Sequence, residues 1–475
     1  MGARTERHLE QLVAAASADG TSILAAVAKG AAPGQKIKLP PEFTWREYTV
    51  FLLTIAAQIE HSLMVQYLYA AYSLGGSKVP PDQRHSVAAW RQVILGIAKE
   101  EMGHLATVQN ALRFLGAPLA LDREDYPWDS RLAPYQFMLE PLTRASLAKY
   151  IVAESPKTWP DDVTAAECKE IKGLASGYGG SQVNRVGDLY ELLIRIVGDP
   201  NCVPGALLHP GSYPFQASWD EWARGYGKGA RGSSVAGTTS TPDVLVLRMA
   251  SRTDALAALK AVAEQGEAPG KASAMDAERS HFRRFLEVFR AFPKDGSWSP
   301  TRPLPSNPLA PGLTAGKGQT SITSEEGGVW ANIFNLRYRM LLCYLAHTYH
   351  VRGAADTVGE GRRGVIINRM FGEMYNLRAV ASILVQLPLA KDSPQRCGPT
   401  FQMPYTLQLP ESEAGFWSLH MDLIAATVDL LAKARAVGSG ERIEYAKALA
   451  SLDATAAREM ALYATADSVR TAAGR

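Results

Sequence analysis

The stretch AKEEMGHLATVQ, residues 98–109, contains a glutamate and a histidine three positions apart, inside a run that otherwise has the pattern of a buried helix. Residues at this spacing lie on the same face of an α-helix, so Glu101 and His104 point to the same side. Burial of an ionised carboxylate beside an imidazole is costly unless another charge compensates it. The stretch therefore predicts a compensating charge, such as a bound cation.

The composition is that of a globular protein with a large core. Of the 475 residues, 47% are hydrophobic and 20% are charged, which fits two or three domains and excludes a disordered chain. The net charge of +3 is small, and no basic stretch is interleaved with aromatic residues. We therefore expect no nucleic-acid partner.

Signals for the cellular compartment favour the cytoplasm. The N-terminal residues MGARTERHLEQ lack the apolar core of a signal peptide. No run reaches the roughly 18 uncharged apolar residues of a membrane span, so no membrane partner is expected. Four cysteines are far apart in the sequence and form no CxxC pair, which suits a reducing compartment: Cys168, Cys202, Cys343 and Cys397.

Helical periodicity dominates the chain. After a helix near residues 5–29, two long helices are predicted at about 44–74 and 84–115, joined by a short polar loop. Thr44 and Glu47 form the pattern of a capping box at the start of the first long helix. Two long helices with a short connection are typical of an antiparallel hairpin in a helical bundle.

The rest of the chain predicts further helices and two irregular regions. The predicted helices lie at about 143–154, 181–197, 254–267, 275–292, 328–350, 362–387, 412–436 and 440–470. A Gly/Pro/Ser-rich insertion occupies 199–242, one short strand is predicted at 243–248, and a Pro/Gly-rich connection at 299–320 is a plausible domain boundary.

These elements predict an all-α protein with three parts. The first is an N-terminal helical extension, residues 1–40. The second is a helical bundle, residues 41–298, and the third is a C-terminal helical domain, residues 321–475, packed on the bundle.

Glu60 is the first of several acids predicted to point inward. Its neighbours three and four positions away are Ala56, Ala57, Leu63 and Met64, so its carboxylate lies on the apolar face of the first long helix. A buried carboxylate at this position needs a compensating charge, as Glu101 does.

A second Glu-x-x-His pair, Glu278 and His281, repeats the spacing of Glu101 and His104 much later in the chain. Bundles that bind two iron or two manganese ions use such a set: a Glu from each of two helices and Glu-x-x-His from each of two others. Carboxylate oxygens and imidazole nitrogens suit iron or manganese. The pattern therefore predicts a dimetal site, for which satisfied core residues or surface ion pairs are the alternative.

The sequence does not decide which residue supplies the remaining carboxylate of the set. Asp188 lies on the shoulder of the apolar face of its helix, and Glu264 would lie level with His281 if its helix turned back in a tight hairpin. Glu267 is a third candidate ligand.

Two further residues lie close to the predicted ligands. Tyr67 is one turn beyond Leu63 on the face of Glu60, so we predict that it hydrogen-bonds to a ligand and takes part in catalysis with Glu101. Gly103 costs about 1 kcal/mol in a helix relative to Ala. It would leave room either for substrate or dioxygen or for close packing of two helices.

Five motifs resemble, in this order, those of a bacterial ferritin-like family: IEHSLMVQYLYAAYSL, KEEMGHL, VGDLYELL, AVAEQGEA and ERSHFRRFLE. The family includes the ferritin-like part of iminophenylpyruvate dimer synthase of violacein biosynthesis and the related chromopyrrolate synthases. The resemblance covers about residues 40–295, and the C-terminal stretch CGPTFQMPYTLQLPE resembles the family more loosely.

The resemblance implies a ferritin-like four-helix bundle with a non-haem metal site. Its ligand-like positions fall on Glu60, Glu101, His104, Glu278 and His281. The chain departs from the family in two motifs, since Asp188 stands where the family has Glu, and Glu267-Ala268 stands where the family has Glu-Gly. The family's dimer synthases are also much longer chains, so their imine-coupling reaction is not carried over.

The first functional hypothesis is an oxidoreductase: a non-haem di-iron oxidase or oxygenase that uses dioxygen on a small amino-acid-derived metabolite in natural-product biosynthesis. Two Fe ions are the expected cofactor, with Mn as the alternative metal. Polar residues of the C-terminal helices are candidate substrate contacts: Glu373, His347, His350 and His420.

Two other functions remain open from the sequence. A site accessible only to hydrogen peroxide would favour a manganese-catalase-like or peroxidase-like activity. A non-enzymatic role would be metal storage or a metal-binding scaffold of a biosynthetic complex. The charged helix faces permit either a monomer or a homodimer.

Overall fold

The structure is a computed structural model that describes residues 37, 39–128, 133–176, 185–222, 244–267, 280–294, 296, 298–353, 361–403, 407 and 409–473. For residues 220, 267 and 465–473 only the backbone is described. The chain divides into two compact units, one ending at Thr301 and the other beginning at Arg302, a division that falls inside the Pro/Gly-rich connection. The predicted N-terminal helix lies outside the described residues.

The first unit is built on two long helices, α1 (Trp45–Ser73) and α2 (Arg84–Phe114), which pack along each other. The predicted capping box is confirmed, because Thr44 and Glu47 each bond the other's backbone at the start of α1. Among the described helices, α1 alone is long and apolar enough to cross a membrane, and 72% of its apolar window is buried in the protein.

Shorter helices complete the first unit: α3 (Arg144–Ala153), α4 (Ala165–Ser176), α5 (Val186–Gly198), α6 (Trp219–Trp222), α7 (Arg252–Glu267) and α8 (His281–Ala291). Helix α5 packs against α1 and α7, and α8 packs against α2, α3 and α7. Helices α1, α2, α5, α7 and α8 therefore meet around one apolar interior.

The second unit is also helical. It contains α9 (Glu325–Thr348), α10 (Gly361–Leu384), α11 (Glu413–Val437) and α12 (Glu441–Ala473), with α9 packed against α10 and α11, and α11 packed against α12. Two parallel two-residue strands, β1 (Pro308–Leu309) and β2 (Thr320–Ser321), precede α9. The all-α prediction is confirmed.

The strand predicted at 243–248 is wrong, because its described residues, 244–248, have no regular secondary structure. Their peptide groups bond side chains of α2 instead of a second strand. The Thr107 hydroxyl donates to Leu245 O at 3.0 Å, and Asn110 Nδ2 donates to Leu247 O at 2.9 Å. Gly103 permits this approach, since a Cβ there would lie 2.8 Å from Leu245 O. Close packing is therefore the reason for this glycine.

The helix predicted from residue 275 begins at His281. Ser280 is extended and caps the helix, with its side chain accepting a hydrogen bond from the Arg283 backbone N–H. Glu278 lies outside the described residues.

Candidate metal centre

Helices α1 and α2 bring the first three predicted ligands together in the core of the first unit. Glu60, Glu101 and His104 are each exposed by 2% or less. Nδ1 of His104 lies 3.0 Å from Oε2 of Glu101 and 3.4 Å from Oε2 of Glu60. These residues form the first group of atoms with the spacing of metal ligands.

A second group lies on the other side of Glu101. Nδ1 of His281, the first residue of α8, is 2.8 Å from Oε1 of Glu101 and 3.7 Å from Oε2 of Glu154. In each group the candidate ligand atoms lie within 4.8 Å of one another. The Glu101 carboxylate belongs to both groups, with one oxygen turned to each histidine.

The outer nitrogens of both histidines are fixed by side chains outside these groups. Nε2 of His104 lies 2.8 Å from Oε1 of Gln265, and Nε2 of His281 lies 2.9 Å from Oε2 of Glu100. Each acceptor favours an N–H at Nε2, so Nδ1 is the nitrogen that is turned to the carboxylates and that would bind a metal ion once its own proton is displaced. Arg284 in turn pairs with Glu100, 3.2 Å from Nη1 to Oε1, and so compensates its charge.

Two tyrosines orient the outer carboxylates. The Tyr190 hydroxyl donates to Oε1 of Glu60, and the Tyr67 hydroxyl donates to Oε1 of Glu154 at 2.7 Å. In both carboxylates the other oxygen, Oε2, faces a histidine. Each tyrosine therefore selects which oxygen is available at the centre.

Several buried polar atoms at the centre face an ion-pair partner without a hydrogen bond of suitable geometry within the described part of the chain: Oε2 of Glu60, Oε1 of Glu101 and Nδ1 of His281. Leaving such an atom unsatisfied costs about 1–3 kcal/mol, and more for a charged group. Glu60 belongs to the first group, His281 to the second and Glu101 to both, so a cation bound in each group would satisfy these atoms.

The charges of the centre are strongly interdependent. Burial raises the pKa of Glu60 to about 8, and the charge of Glu101 adds to the rise. Burial would also raise the pKa of Glu101, but the charges of His281 and His104 outweigh it and hold this pKa well below its usual range. Burial opposes protonation of His104, yet Glu101 and Glu60 raise its pKa to about 10.

The residues present fit a pair of divalent metal ions. Three carboxylates and two imidazoles supply oxygen and nitrogen donors of the kind that iron and manganese bind. The carboxylates attract positive charge strongly enough to keep a proton on His104, and metal binding can displace such protons from imidazole ligands. Two groups that share one carboxylate are the arrangement that two neighbouring ions require.

The other candidate ligands predicted from the sequence lie outside both groups or outside the described residues. Asp188 is in neither group of described residues and pairs with Arg185, at 3.2 Å between Oδ1 and Nη1. Glu264 is half-buried and also lies in neither group. For Glu267 only the backbone is described, and Glu278 lies outside the described residues.

Sequence reasoning missed Glu154 and Gln265, whose side chain supports His104. Glu154 follows the last residue of α3 as its C-cap, so helical periodicity gave it no inward direction. A signal was present in Gly266, where a Cβ would lie 2.8 Å from Oε2 of Glu154. Gly266 belongs to the AVAEQGEA motif, as does Gln265.

A small cavity lies beside the centre. Its walls combine Glu60, Glu101, His104 and Glu154 with the apolar residues Leu63, Val186 and Val262. The cavity has room for only about one water molecule, whereas pockets that hold organic ligands usually measure about 300–1,000 Å³.

The bundle and its centre define the class of protein. The model of the family described as Ferritin-like matches residues 53–290, which is half of the chain and contains both groups of candidate ligands. The chain belongs to this ferritin-like family.

Two proteins that are similar to this chain in sequence are enzymes by name. It is 26% identical over 377 residues to dichlorochromopyrrolate synthase of Lentzea aerocolonigenes, covering 73% of this chain and 35% of the relative. It is 24% identical over 369 residues to 2-imino-3-(indol-3-yl)propanoate dimerase of Chromobacterium violaceum, covering 70% of this chain and 32% of the relative. The chain thus spans about a third of these relatives. No solved structure matches it.

Proposed function

We propose that the protein is a non-haem dimetal oxidoreductase that uses dioxygen on a small amino-acid-derived metabolite, with two Fe ions as the cofactor and Mn as the alternative. The observation that carries this proposal is the position of Glu101, whose two oxygens face His104 and His281 in two groups of buried ligand atoms. Two iron ions held there would supply the electrons that reduce dioxygen.

The protein's own residues hold and tune this site. Gln265 and Glu100 fix the imidazoles so that Nδ1 faces the carboxylates. Tyr190 and Tyr67 hold one oxygen each of Glu60 and Glu154 through their hydroxyl protons. The Tyr67 hydroxyl keeps its proton in this contact, because burial and the charge of Glu154 raise its pKa well above the ordinary value, and the catalytic role of Tyr67 stays a prediction. The buried surroundings exclude bulk water from the centre.

We propose the substrate class from the names of the relatives. One is named for chromopyrrolate and the other for an indolyl imino acid. We therefore extend to this chain an amino-acid-derived substrate, with an aromatic ring as its most characteristic part, and a place in natural-product biosynthesis. All four cysteines are described and free, which supports a reducing cytoplasmic location. A homodimer stays a prediction.

Dioxygen uptake tests the reaction class. Protein loaded anaerobically with Fe(II) should consume dioxygen faster when L-tryptophan or its 2-oxo acid is added. Glu101→Ala should abolish the stimulated uptake because the shared carboxylate is lost. Protein that holds about two iron ions but shows no stimulated uptake with any aromatic amino acid or oxo acid would contradict the proposed oxidase.

The small cavity favours one second candidate, a catalase-like or peroxidase-like activity. A space with room for only about one water molecule admits hydrogen peroxide more readily than an organic molecule. Release of dioxygen from peroxide by the Mn(II)-loaded protein, without stimulation of dioxygen uptake by organic substrates, would favour this activity over the oxidase.

A further inference from the structure

The two groups of candidate ligands at the metal centre are alike on their carboxylate side. Both share Glu101, and each adds one further carboxylate, Glu60 in the first group and Glu154 in the second. The Tyr190 hydroxyl donates to Oε1 of Glu60, as the Tyr67 hydroxyl does to Oε1 of Glu154. In both carboxylates Oε2 faces a histidine Nδ1, at 3.4 Å and 3.7 Å. The carboxylates therefore give neither group a clear advantage in binding a cation.

The two groups differ behind their histidines. Nε2 of His104 lies 2.8 Å from Oε1 of Gln265, the oxygen of a neutral amide. Nε2 of His281 lies 2.9 Å from Oε2 of Glu100, the oxygen of a carboxylate. None of these four residues is more than 6% exposed, so bulk water does not screen the difference. The second group thus has a negative charge behind its imidazole, where the first group has a neutral dipole.

Arg284 keeps the Glu100 carboxylate ionised. Nη1 of Arg284 lies 3.2 Å from Oε1 of Glu100, and Nη2 donates to Oε2. Burial would raise the pKa of Glu100, but the charge of Arg284 and the contact with His281 together bring this pKa below its ordinary value. The guanidinium offsets part of the negative field at His281, yet Oε2 of Glu100 still faces the imidazole Nε2. The charge difference between the two groups is therefore reduced by Arg284 and not removed.

A charged acceptor at Nε2 makes Nδ1 of the same imidazole a stronger metal ligand. Hydrogen bonds to an ionised group are roughly twice as strong as neutral ones, so Glu100 draws the Nε2 proton of His281 more strongly than Gln265 draws that of His104. The basicity of the ligand nitrogen rises as a result. The negative charge also favours a proton at Nδ1, but a divalent ion gains about twice as much from it as a proton does, so the net effect favours the metal ion.

We propose that the two metal positions are unequal: the group of Glu101, Glu154 and His281 binds its ion more tightly, and Glu100 is the positioning residue that causes the difference. The inference rests on the proposed dimetal centre and goes beyond it by assigning an order of filling. At metal concentrations between the two dissociation constants, the protein holds one ion, beside His281. The position beside His104 fills last and therefore decides when the centre is complete.

Variants with one intact group compare the two positions without repulsion between two ions. Glu60→Gln removes a carboxylate of the first group only, and Glu154→Gln removes one of the second group only. The metal-free full chain is titrated with Mn(II), and electron paramagnetic resonance measures the free ion. Glu60→Gln should bind one ion about tenfold more tightly than Glu154→Gln does, a difference equivalent to about 1.4 kcal/mol. Glu170→Gln, at an exposed pair with Arg144, is the matched control and should bind Mn(II) as wild type does.

Exchange of the groups behind the histidines tests the cause of the difference. Glu100→Gln, added to Glu60→Gln, places an amide behind the remaining imidazole and should weaken binding of the remaining ion about tenfold. Gln265→Glu, added to Glu154→Gln, places a carboxylate there and should strengthen binding by up to about tenfold. A substitution that only disturbs packing does not strengthen binding, so the gain with Gln265→Glu separates an effect of charge from a structural one. Circular dichroism checks that each variant is folded.

Equal affinities of Glu60→Gln and Glu154→Gln, or tighter binding by Glu154→Gln, would overturn the inference and leave the metal centre in place. Unchanged affinity on adding Glu100→Gln, or no gain on adding Gln265→Glu, would overturn it as well. Wild type that binds no Mn(II) would overturn both the inference and the proposed centre. The titration uses neither dioxygen nor an organic substrate, so a failure of the proposed oxidase reaction is detected separately.

Discussion

Both units of the protein bury a cluster of carboxylates, but they compensate the charge in different ways. In the second unit Glu373 and Asp453 face Arg337, whose Nη1 lies 3.0 Å from Oε1 of Glu373 and 2.7 Å from Oδ1 of Asp453. In the first unit no Arg or Lys of the described residues forms an ion pair with Glu60 or Glu101, and their ion-pair partners there are histidines.

The difference shows when a buried acid indicates a metal site. A guanidinium carries a permanent charge, so Arg337 alone compensates the carboxylates of the cluster in the second unit, which we call the second cluster. Imidazoles are charged only while protonated, so the first cluster needs either protons or a metal ion. Arg284 lies close by but pairs with Glu100 and not with the shared carboxylate. The first cluster is therefore the one that is open to an added cation.

The largest expected effect is obtained by removing the guanidinium. Arg337→Met leaves Glu373 and Asp453 buried without a cation, which should reduce the free energy of unfolding by about 3–5 kcal/mol. Denaturant unfolding measures it.

Arg442→Met is the matched control, since Arg442 pairs with Glu326 at a partly exposed position and should cost no more than about 1 kcal/mol. Equal losses for the two variants would show that the buried cluster is not compensated by Arg337. Metal content should be unchanged in both variants.

Acid should weaken the second unit through a different pair of buried groups. His347 Nδ1 and His420 Nε2 lie 3.0 Å apart. Burial lowers the pKa of His347 to about 2, with the charges of His420, His350 and Arg362 adding to the effect, and burial lowers the pKa of His420 to about 3. Because both folded-state values lie below the ordinary value of about 6.5, stability is complete above pH 6.5 and is lost as the pH falls below it.

Between pH 7 and pH 5 the loss should be about 2 kcal/mol for each histidine. The measurement is the free energy of unfolding as a function of pH, compared between wild type and His420→Leu. In the variant the loss of unfolding free energy between pH 7 and pH 5 should be smaller by about 2 kcal/mol, the contribution of one histidine. An identical dependence in both proteins would mean that these histidines do not remain neutral in the fold.

A substitution with a smaller expected effect tests the cluster of the first unit. Gln265→Leu removes the acceptor at His104 Nε2 and frees the imidazole to change its protonated nitrogen. The expected result is a loss of about 10–100-fold in metal affinity with little change in the number of sites. Competition with a coloured chelator measures the affinity. Lys157→Met, at an exposed pair with Glu191, is a control that should bind metal as wild type does.

The helices were predictable because their signals are local. Thr44 and Glu47 mark the start of α1, and the predicted bounds of α1 and α2 differ from the structure by about one residue at each end. The strand at 243–248 was not predictable, since its apolar pattern is also that of an extended segment. Only the fold brings Thr107 and Asn110 of α2 beside it to bond its backbone.

The candidate site also contains residues that the sequence predicts and residues that only the fold brings together. Glu60, Glu101 and His104 have inward directions set by helical spacing, and the structure places them together. Glu154 lies where α3 ends, so its direction depends on the packing of α3 against α8 and on the absence of a side chain at Gly266. Asp188 has a helical direction too, but it pairs with Arg185, one turn before it, and belongs to neither group of candidate ligands.

The most direct test of the account is the metal content of purified protein after anaerobic loading with Fe(II), measured for wild type, Glu101→Ala and Glu373→Gln. We expect about two ions per chain in wild type and in Glu373→Gln, whose carboxylate belongs to the cluster that Arg337 compensates. Glu101→Ala should lose both ions, because its carboxylate is common to both groups. Wild type without bound metal, or Glu101→Ala with the full content, would contradict the central claim that the shared carboxylate holds a pair of cations.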